Sequence, residues 1–146
     1  MNHYTHILVG LDLTDDSEEV LERATALTKD CNAKLTLAHI IEPLTFAYGG
    51  DIPVDLTEIQ MQLEIQAKET LSSIAKVLAA EVAGQHVIIG QPVDEMHQLA
   101  EQIGADLIIV GSHGRKGLAL LLGSTANGVI HGAKCDVLAV RVALKS

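Results

Sequence analysis

Tryptophan is absent from this chain, and two tyrosines and one phenylalanine bring the aromatic share to 2% of a sequence that is 48% hydrophobic. A core without rings has to be built from Val, Ile, Leu and Ala, which suits a parallel sheet buried on both faces beneath helices. Cysteine is nearly absent too. Cys31 and Cys135 stand far apart in no CxxC pattern, so neither a disulfide framework nor a paired-thiol metal site is indicated. Both read as structural small hydrophobes. Positive charge is scarce, with 10 Lys and Arg against 19 Asp and Glu and a net charge of -9. That balance argues against non-specific binding to nucleic acid or an anionic membrane, while leaving room for a small anion at a local basic patch. No apolar run approaches the roughly 20 residues that span a bilayer. The polar start, Met1 to His6, lacks a signal-peptide pattern, and the expected location is cytoplasmic.

The chain has 146 residues, which fits one domain with a core that needs no disulfide or metal. Ile7-Leu8-Val9-Gly10-Leu11 is too short for a helix and reads as a buried strand. Thr14 reads as the N-cap of a first helix, with Asp15, Asp16, Glu18 and Glu19 crowding the positive end of its dipole. Val20, Ala24, Leu27 and Cys31 carry its apolar stripe, and Asn32 ends it. Lys34 to Ile41 is a second strand. Residues 42–55 form a loop broken by Pro43, Gly49-Gly50 and Pro53. A long helix follows with Leu56, Ile59, Leu63, Ala67, Leu71, Ile74, Leu78 and Val82 on its apolar stripe, closed by Gly84. His86 to Ile89 is the third strand. Val93, Met96, Leu99, Ala100 and Ile103 mark the third helix, stopped by Gly104. Asp106 to Val110 is the fourth strand, and Gly111 to Gly123 a glycine-punctuated loop. The fourth helix starts at Gly123 or Ser124 with Ala126, Val129 and Ile130 inward, and Asp136 to Val142 is the last strand. This βαβαβαβαβ order, without repeats or linkers, predicts a doubly wound parallel α/β sheet.

Ligands of such sheets sit outside the carboxyl ends of the strands where the strand order reverses. Strand one leads into Gly10-Leu11-Asp12, with neither a G-x-G-x-x-G fingerprint nor a P-loop. Strand four leads into Gly111-Ser112-His113-Gly114-Arg115-Lys116-Gly117, and Gly123-Ser124-Thr125 opens the next helix. Glycines let main-chain N–H groups approach an anion, a helix start supplies unpaired donors, and Arg115 and Lys116 add positive charge. The same residues also suit a plain turn in which Ser124 is only a cap.

These residues resemble the universal stress protein family. The resemblance is carried by Ile7 to Asp12, by Gly90-Gln91-Pro92, and above all by Asp106 to Gly114 (DLIIVGSHG) followed by Leu121-Leu122-Gly123-Ser124-Thr125. It covers nearly the whole chain and implies one universal stress protein domain over residues 1–146. The implied fold is a five-stranded sheet in the order 3-2-1-4-5, Rossmann-like and of the adenine nucleotide alpha hydrolase kind. It also implies a homodimer built through the last strand, at the sheet edge. One branch of the family binds ATP or AMP through the pattern G-x2-G-x9-G-[ST]; the other lacks the glycines. This chain keeps Gly111, Gly114, Gly123 and Ser124 but has one residue fewer between Gly114 and Gly123. The shortening bears on phosphate geometry and on the choice between ATP and AMP. Position by position, the resemblance places Asp12 at the ribose hydroxyls and Gly10, Leu11 and Ile40 around the adenine. Gly111, His113, Gly114, Arg115, Gly123, Ser124 and Thr125 meet the phosphates. Mg2+ or Mn2+ accompanies ATP, with no ligand evident beyond Asp12 and phosphate oxygens.

Phe46 and Tyr48 sit in the loop after strand two, either over the adenine or as local packing anchors. The seven histidines form no H-x3-H or Cys/His cluster, so no metal site is expected. The leading expectation is an adenine-nucleotide-binding protein with a stress-response or regulatory role and no catalytic residues. One alternative is a slow ATPase or nucleotidyl-transfer enzyme, although the serine-glycine-glycine loop of pyrophosphatase-type relatives is missing after strand one. The other is a dimeric interaction protein without nucleotide.

Overall fold

A computed structural model describes residues 4–13, 17–43, 56–113 and 124–142, with 113 and 124–126 by main chain only. Five parallel strands form one sheet in the order β3-β2-β1-β4-β5. They are β1 (His6–Gly10), β2 (Lys34–Ile41), β3 (Val82–Ile89), β4 (Leu107–His113) and β5 (Asp136–Val142). The helices are α1 (Ser17–Cys31), α2 (Leu56–Val77), α3 (Pro92–Ile103) and α4 (Ser124–Gly132). The expected α/β class and strand order are both present.

The continuous apolar strands follow from burial on both faces. Ile7, Leu8 and Val9 are all 0% exposed, yet they belong to different layers. Ile7, Val9, Leu35, Leu37, Leu107 and Ile109 pack with Val20, Ala24 and Leu71, beneath α1 and α2. Leu8, Ala38, Ile108 and Val110 pack with Met96, Leu99 and Val129, beneath α3 and α4. Two of the three expected helix stops operate by one device. Asn32 at φ 55° and Gly104 at φ 71° enter the left-handed region. Ala33 N–H then reaches back to Thr28 O at 3.0 Å, and Ala105 N–H to Ala100 O at 2.9 Å.

Five expectations are corrected. The long helix ends at Val77, not at Gly84. Leu78 and Val82 still pack on the α1/α2 core, but from beyond the helix. Val82 and Gly84 lie in β3, which is therefore longer than the expected His86 to Ile89. Gly84 sits at a register irregularity, where Leu35 pairs with Val82 and Thr36 with Gly84. A glycine at a bulge is a strand feature that mimics a helix stop in sequence.

The helical stripe is also not buried throughout, since Ile59 is 46% and Leu63 39% exposed while Ala67 and Leu71 are buried. Length explains this. A helix of 22 residues is about 33 Å long, whereas strands of 8 residues span about 26 Å. The first turns of α2 overrun the carboxyl ends of β2 and β3. Gly111 to His113 continue β4 instead of opening a loop, because β5 offers ladder partners as far as Val142. Ile130, expected inward, is 39% exposed, while Val129 beside it is fully buried. Thr14 to Asp16 and the loop carrying Phe46 and Tyr48 lie outside the described residues.

The α3–α4 contact is unusually close. A Cβ on Gly128 would stand 2.6 Å from Val93 Cγ2, and one on Gly132 2.5 Å from His97 Cε1. His97 Nε2 donates to Val129 O at 2.9 Å across the same contact. Gly128→Ala would gain up to about 1 kcal/mol of helix propensity against an overpacking cost of about 1–3 kcal/mol. We expect a net loss near 1 kcal/mol, read by urea denaturation. Adding Val93→Ala should recover part of the Gly128→Ala loss, as a contact pair does and independent sites do not.

Candidate functional site

The switch point lies between β1 and β4, because α1 and α2 cover one face of the sheet and α3 and α4 the other. The two strands do not end together. The β1–β4 register runs from Ile7↔Leu107 to Val9↔Ile109, while β4–β5 continues to His113↔Val142. The last residues of β4 therefore have a strand neighbour on the β5 side, and on the other side they border the turn that leaves β1. That step in the sheet edge is the crevice where a ligand of this fold sits.

The β1 turn is held by neighbours rather than by a glycine motif. Leu11 N–H donates to Ala38 O at 2.9 Å, and the Leu11 side chain, 5% exposed, belongs to the α1/α2 core. Its carbonyl accepts from His39 Nδ1 at 2.7 Å. Asp12 is exposed, and its Oδ1 accepts from the buried Ser17 hydroxyl at 3.2 Å. Leu13 follows at φ 61°, a conformation that L side chains adopt only when surroundings hold it. Gly10 lies against Met96, whose Cε would stand 2.9 Å from a Cβ there. Ile40 pairs with Ile88 and packs on the α3/α4 core.

The structure thus gathers Gly10, Leu11 and Asp12 at the end of β1, Ile40 at the end of β2, and the main chain of Gly111 and His113 at the end of β4. Ser124 and Thr125 form the first residues of α4, whose opening N–H groups lack helical partners. Gly114, Arg115 and Gly123 lie outside the described residues, as do the side chains of His113, Ser124 and Thr125.

Two contributors were not singled out from the sequence. Ser17 orients the Asp12 carboxylate, and nothing in the residues around it in sequence distinguishes it from an ordinary first-turn serine. His39 had a signal: it shares a strand face with the core residues Leu35 and Leu37, where a polar side chain needs a partner. It also lines a cleft of about 540 Å³ with Leu13, Ile41, Leu63, Gln66 and Thr70. That cleft lies between the β1 turn, the end of β2 and the middle of α2. Among the described residues no three His, Cys, Asp or Glu side chains gather as a metal would require, and no helix is long and apolar enough to cross a membrane.

A doubly wound parallel sheet with helices on both faces and a helix starting beyond β4 defines the broad class of Rossmann-like α/β folds. Comparison with known proteins narrows the class. The family model described as Universal stress protein family matches residues 3–141. Two Coxiella burnetii proteins, Universal stress protein A homolog 1 and homolog 2, are 40% and 43% identical over 140 and 146 residues. These matches cover 94% of this chain and 96% of the first relative, and 97% and 98% for the second. The chain belongs to the universal stress protein family. Among solved structures, a universal stress protein in complex with cAMP is 28% identical, with a TM-score of 0.65, covering 95% of this chain and 98% of that one. The Archaeoglobus fulgidus universal stress protein in complex with dAMP is 26% identical, with a TM-score of 0.64, covering 97% and 100%.

The step between β1 and β4 depends on a clamp at the opposite end of the same strands. Asp106 accepts from Thr5 N–H at 2.9 Å, from the Thr5 hydroxyl at 3.0 Å and from His6 N–H at 3.0 Å. Burial pushes the Asp106 carboxyl up, but the hydrogen bonds from His6 and Thr5 outweigh it and hold it below the usual carboxylate value. A group lowered in the folded state stabilises fully above its unfolded pKa of about 3.9. That contribution is lost as pH falls through the folded value. Asp106→Asn should therefore cost about 1–2 kcal/mol at pH 7 and flatten the loss of stability below about pH 4, measured by urea denaturation across a pH series.

Proposed function

We propose that the protein binds an adenine nucleotide, ATP or AMP, at the step between β1 and β4, in a stress-response or regulatory role. The observation that carries this reading is the staggered ending of the two strands. It sets an oriented carboxylate, Asp12, beside the end of β4 that runs on past the β1–β4 register. A carboxylate suits a pair of ribose hydroxyls, because it only accepts hydrogen bonds. The α4 start suits phosphate. In this reading Gly10, Leu11 and Ile40 border the adenine. Gly111, His113, Gly114, Arg115, Gly123, Ser124 and Thr125 meet the phosphates. The cAMP and dAMP complexes of related proteins support the adenine choice. Mg2+ or Mn2+ would accompany ATP on its phosphate oxygens, with Asp12 the carboxylate assigned to the site. We place the protein in the cytoplasm, where the free thiols of Cys31 and Cys135 stay reduced. Residues 1–146 act as one universal stress protein domain.

Purified protein should carry AMP or ATP, detectable by mass spectrometry of the released nucleotide. Added nucleotide at one hundred times its Kd should stabilise by about 2.7 kcal/mol, a rise of several degrees in Tm at this chain length. Asp12→Ala should weaken binding by about 1.5–3 kcal/mol, roughly ten- to a hundredfold in Kd, and Gly123→Val should abolish the shift. No shift with any adenine nucleotide would leave the interaction-protein reading.

We also propose a homodimer through β5. β5 is an edge strand, and an apolar edge invites pairing with a second chain. Sedimentation analysis at micromolar concentration should give a dimer; a monomer would remove this assignment.

A further inference from the structure

We infer that His39 is a positioning residue of the nucleotide site, fixing the Leu11-Asp12-Leu13 turn through the Leu11 carbonyl. This rests on the nucleotide reading above, and asks what holds the ribose-facing carboxylate in place.

β1 ends at Gly10, and the Leu11 N–H to Ala38 O bond carries the pairing one residue further. The ladder provides nothing for the Leu11 carbonyl, although Leu11 is 5% exposed and a buried carbonyl without a donor is costly. His39 stands next to Ala38 on the same strand, and its ring reaches sideways to that carbonyl at 2.7 Å. A carbonyl oxygen only accepts, so Nδ1 carries the proton. Leu11 is thereby tied to β2 at both its N–H and its C=O.

The tie matters because of what comes next. Asp12 lies between the pinned carbonyl and Leu13, whose φ of 61° needs outside support. From the other side, the Ser17 hydroxyl at the start of α1 holds Asp12 Oδ1 at 3.2 Å. The carboxylate is thus fixed from β2 through the main chain and from α1 through its own oxygen. A leucine at position 39 would continue the apolar face of Leu35 and Leu37 and fill the same layer, but would leave the Leu11 carbonyl unpaired. Packing alone does not ask for histidine here; the turn does.

The test compares wild type with His39→Asn, His39→Gln and His39→Leu in the full chain. An asparagine amide nitrogen occupies nearly the place of Nδ1, whereas a glutamine amide reaches to the place of Nε2. Calorimetric titration with AMP and with ATP should give near wild-type affinity for His39→Asn. Binding should be about five- to tenfold weaker for His39→Gln and His39→Leu. Hydrogen exchange at the Leu11 amide should speed up in the two weak variants, with the Leu37 amide unchanged. Equal affinities in all four proteins, or equal losses in the asparagine and leucine variants, would overturn the inference. If wild type binds neither AMP nor ATP, the proposed function fails, and the Leu11 exchange rates still decide whether His39 holds the turn. If the leucine variant does not fold, nitrogen NMR of wild-type His39 decides: a proton on Nδ1 supports the role, and a proton on Nε2 overturns it.

Discussion

The parallel pairing of β1 with β4 is the constraint on which the rest of this molecule depends. β1 is the middle strand of five and the shortest. The chain winds outward from β1 through β2 to β3, then crosses over to β4 on the other side of β1 and on to β5, so two helices cover each face and the switch point falls beside β1. Asp106 secures the pair at the amino end, where it accepts from Thr5 and His6. His6 adds a second tie, with Nδ1 donating to Ile103 O at 3.0 Å and Nε2 taking the Thr36 hydroxyl at 2.7 Å. With the amino ends aligned, the difference in strand length appears wholly at the carboxyl end. It becomes a recess there.

Burial and recognition are separated along the same strands. Ile7 to Val9 contribute only to the two cores, and the turn beyond them contributes the exposed Asp12. The turn is irregular, and its order comes from side chains of other elements. His39 reaches from β2 and Ser17 from α1. Histidines in this protein repeatedly act as main-chain partners: His6, His39 and His97 each bond a carbonyl. Their scatter through the sequence has a structural purpose at each place, and none of these three contacts resembles a metal ligand set.

Much of the fold was legible because the two-sided core demands continuous aliphatic strands. Ile7 to Val9, Leu35 to Ile41 and Leu107 to Val110 stood out for that reason. The stops at Asn32 and Gly104 were legible because left-handed residues with a following Ala satisfy the last helical carbonyls. The boundary between α2 and β3 was not, since Gly84 marks a bulge against Thr36 and not a cap. Ile59 and Leu63 keep helical periodicity although α2 outruns the sheet, so spacing could not report their exposure. In the site, glycines and a terminal aspartate were visible as residue types. Gly10 also lies against Met96 of α3, a neighbour that no local pattern contains.

The sequence by itself determined the α/β class, the alternation of elements, the aliphatic character of both cores and the family, because each is written in local spacing or in short motifs. Tertiary structure alone decided how far each strand runs, since an extended segment persists only where a neighbour supplies ladder partners. It also decided which polar side chains hold the β1 turn. His39 meets the Leu11 carbonyl, and Asp106 the amides of Thr5 and His6, across distances in the chain that no periodicity spans. Hydrogen-bond partners of that kind exist only once the sheet has brought the strands together.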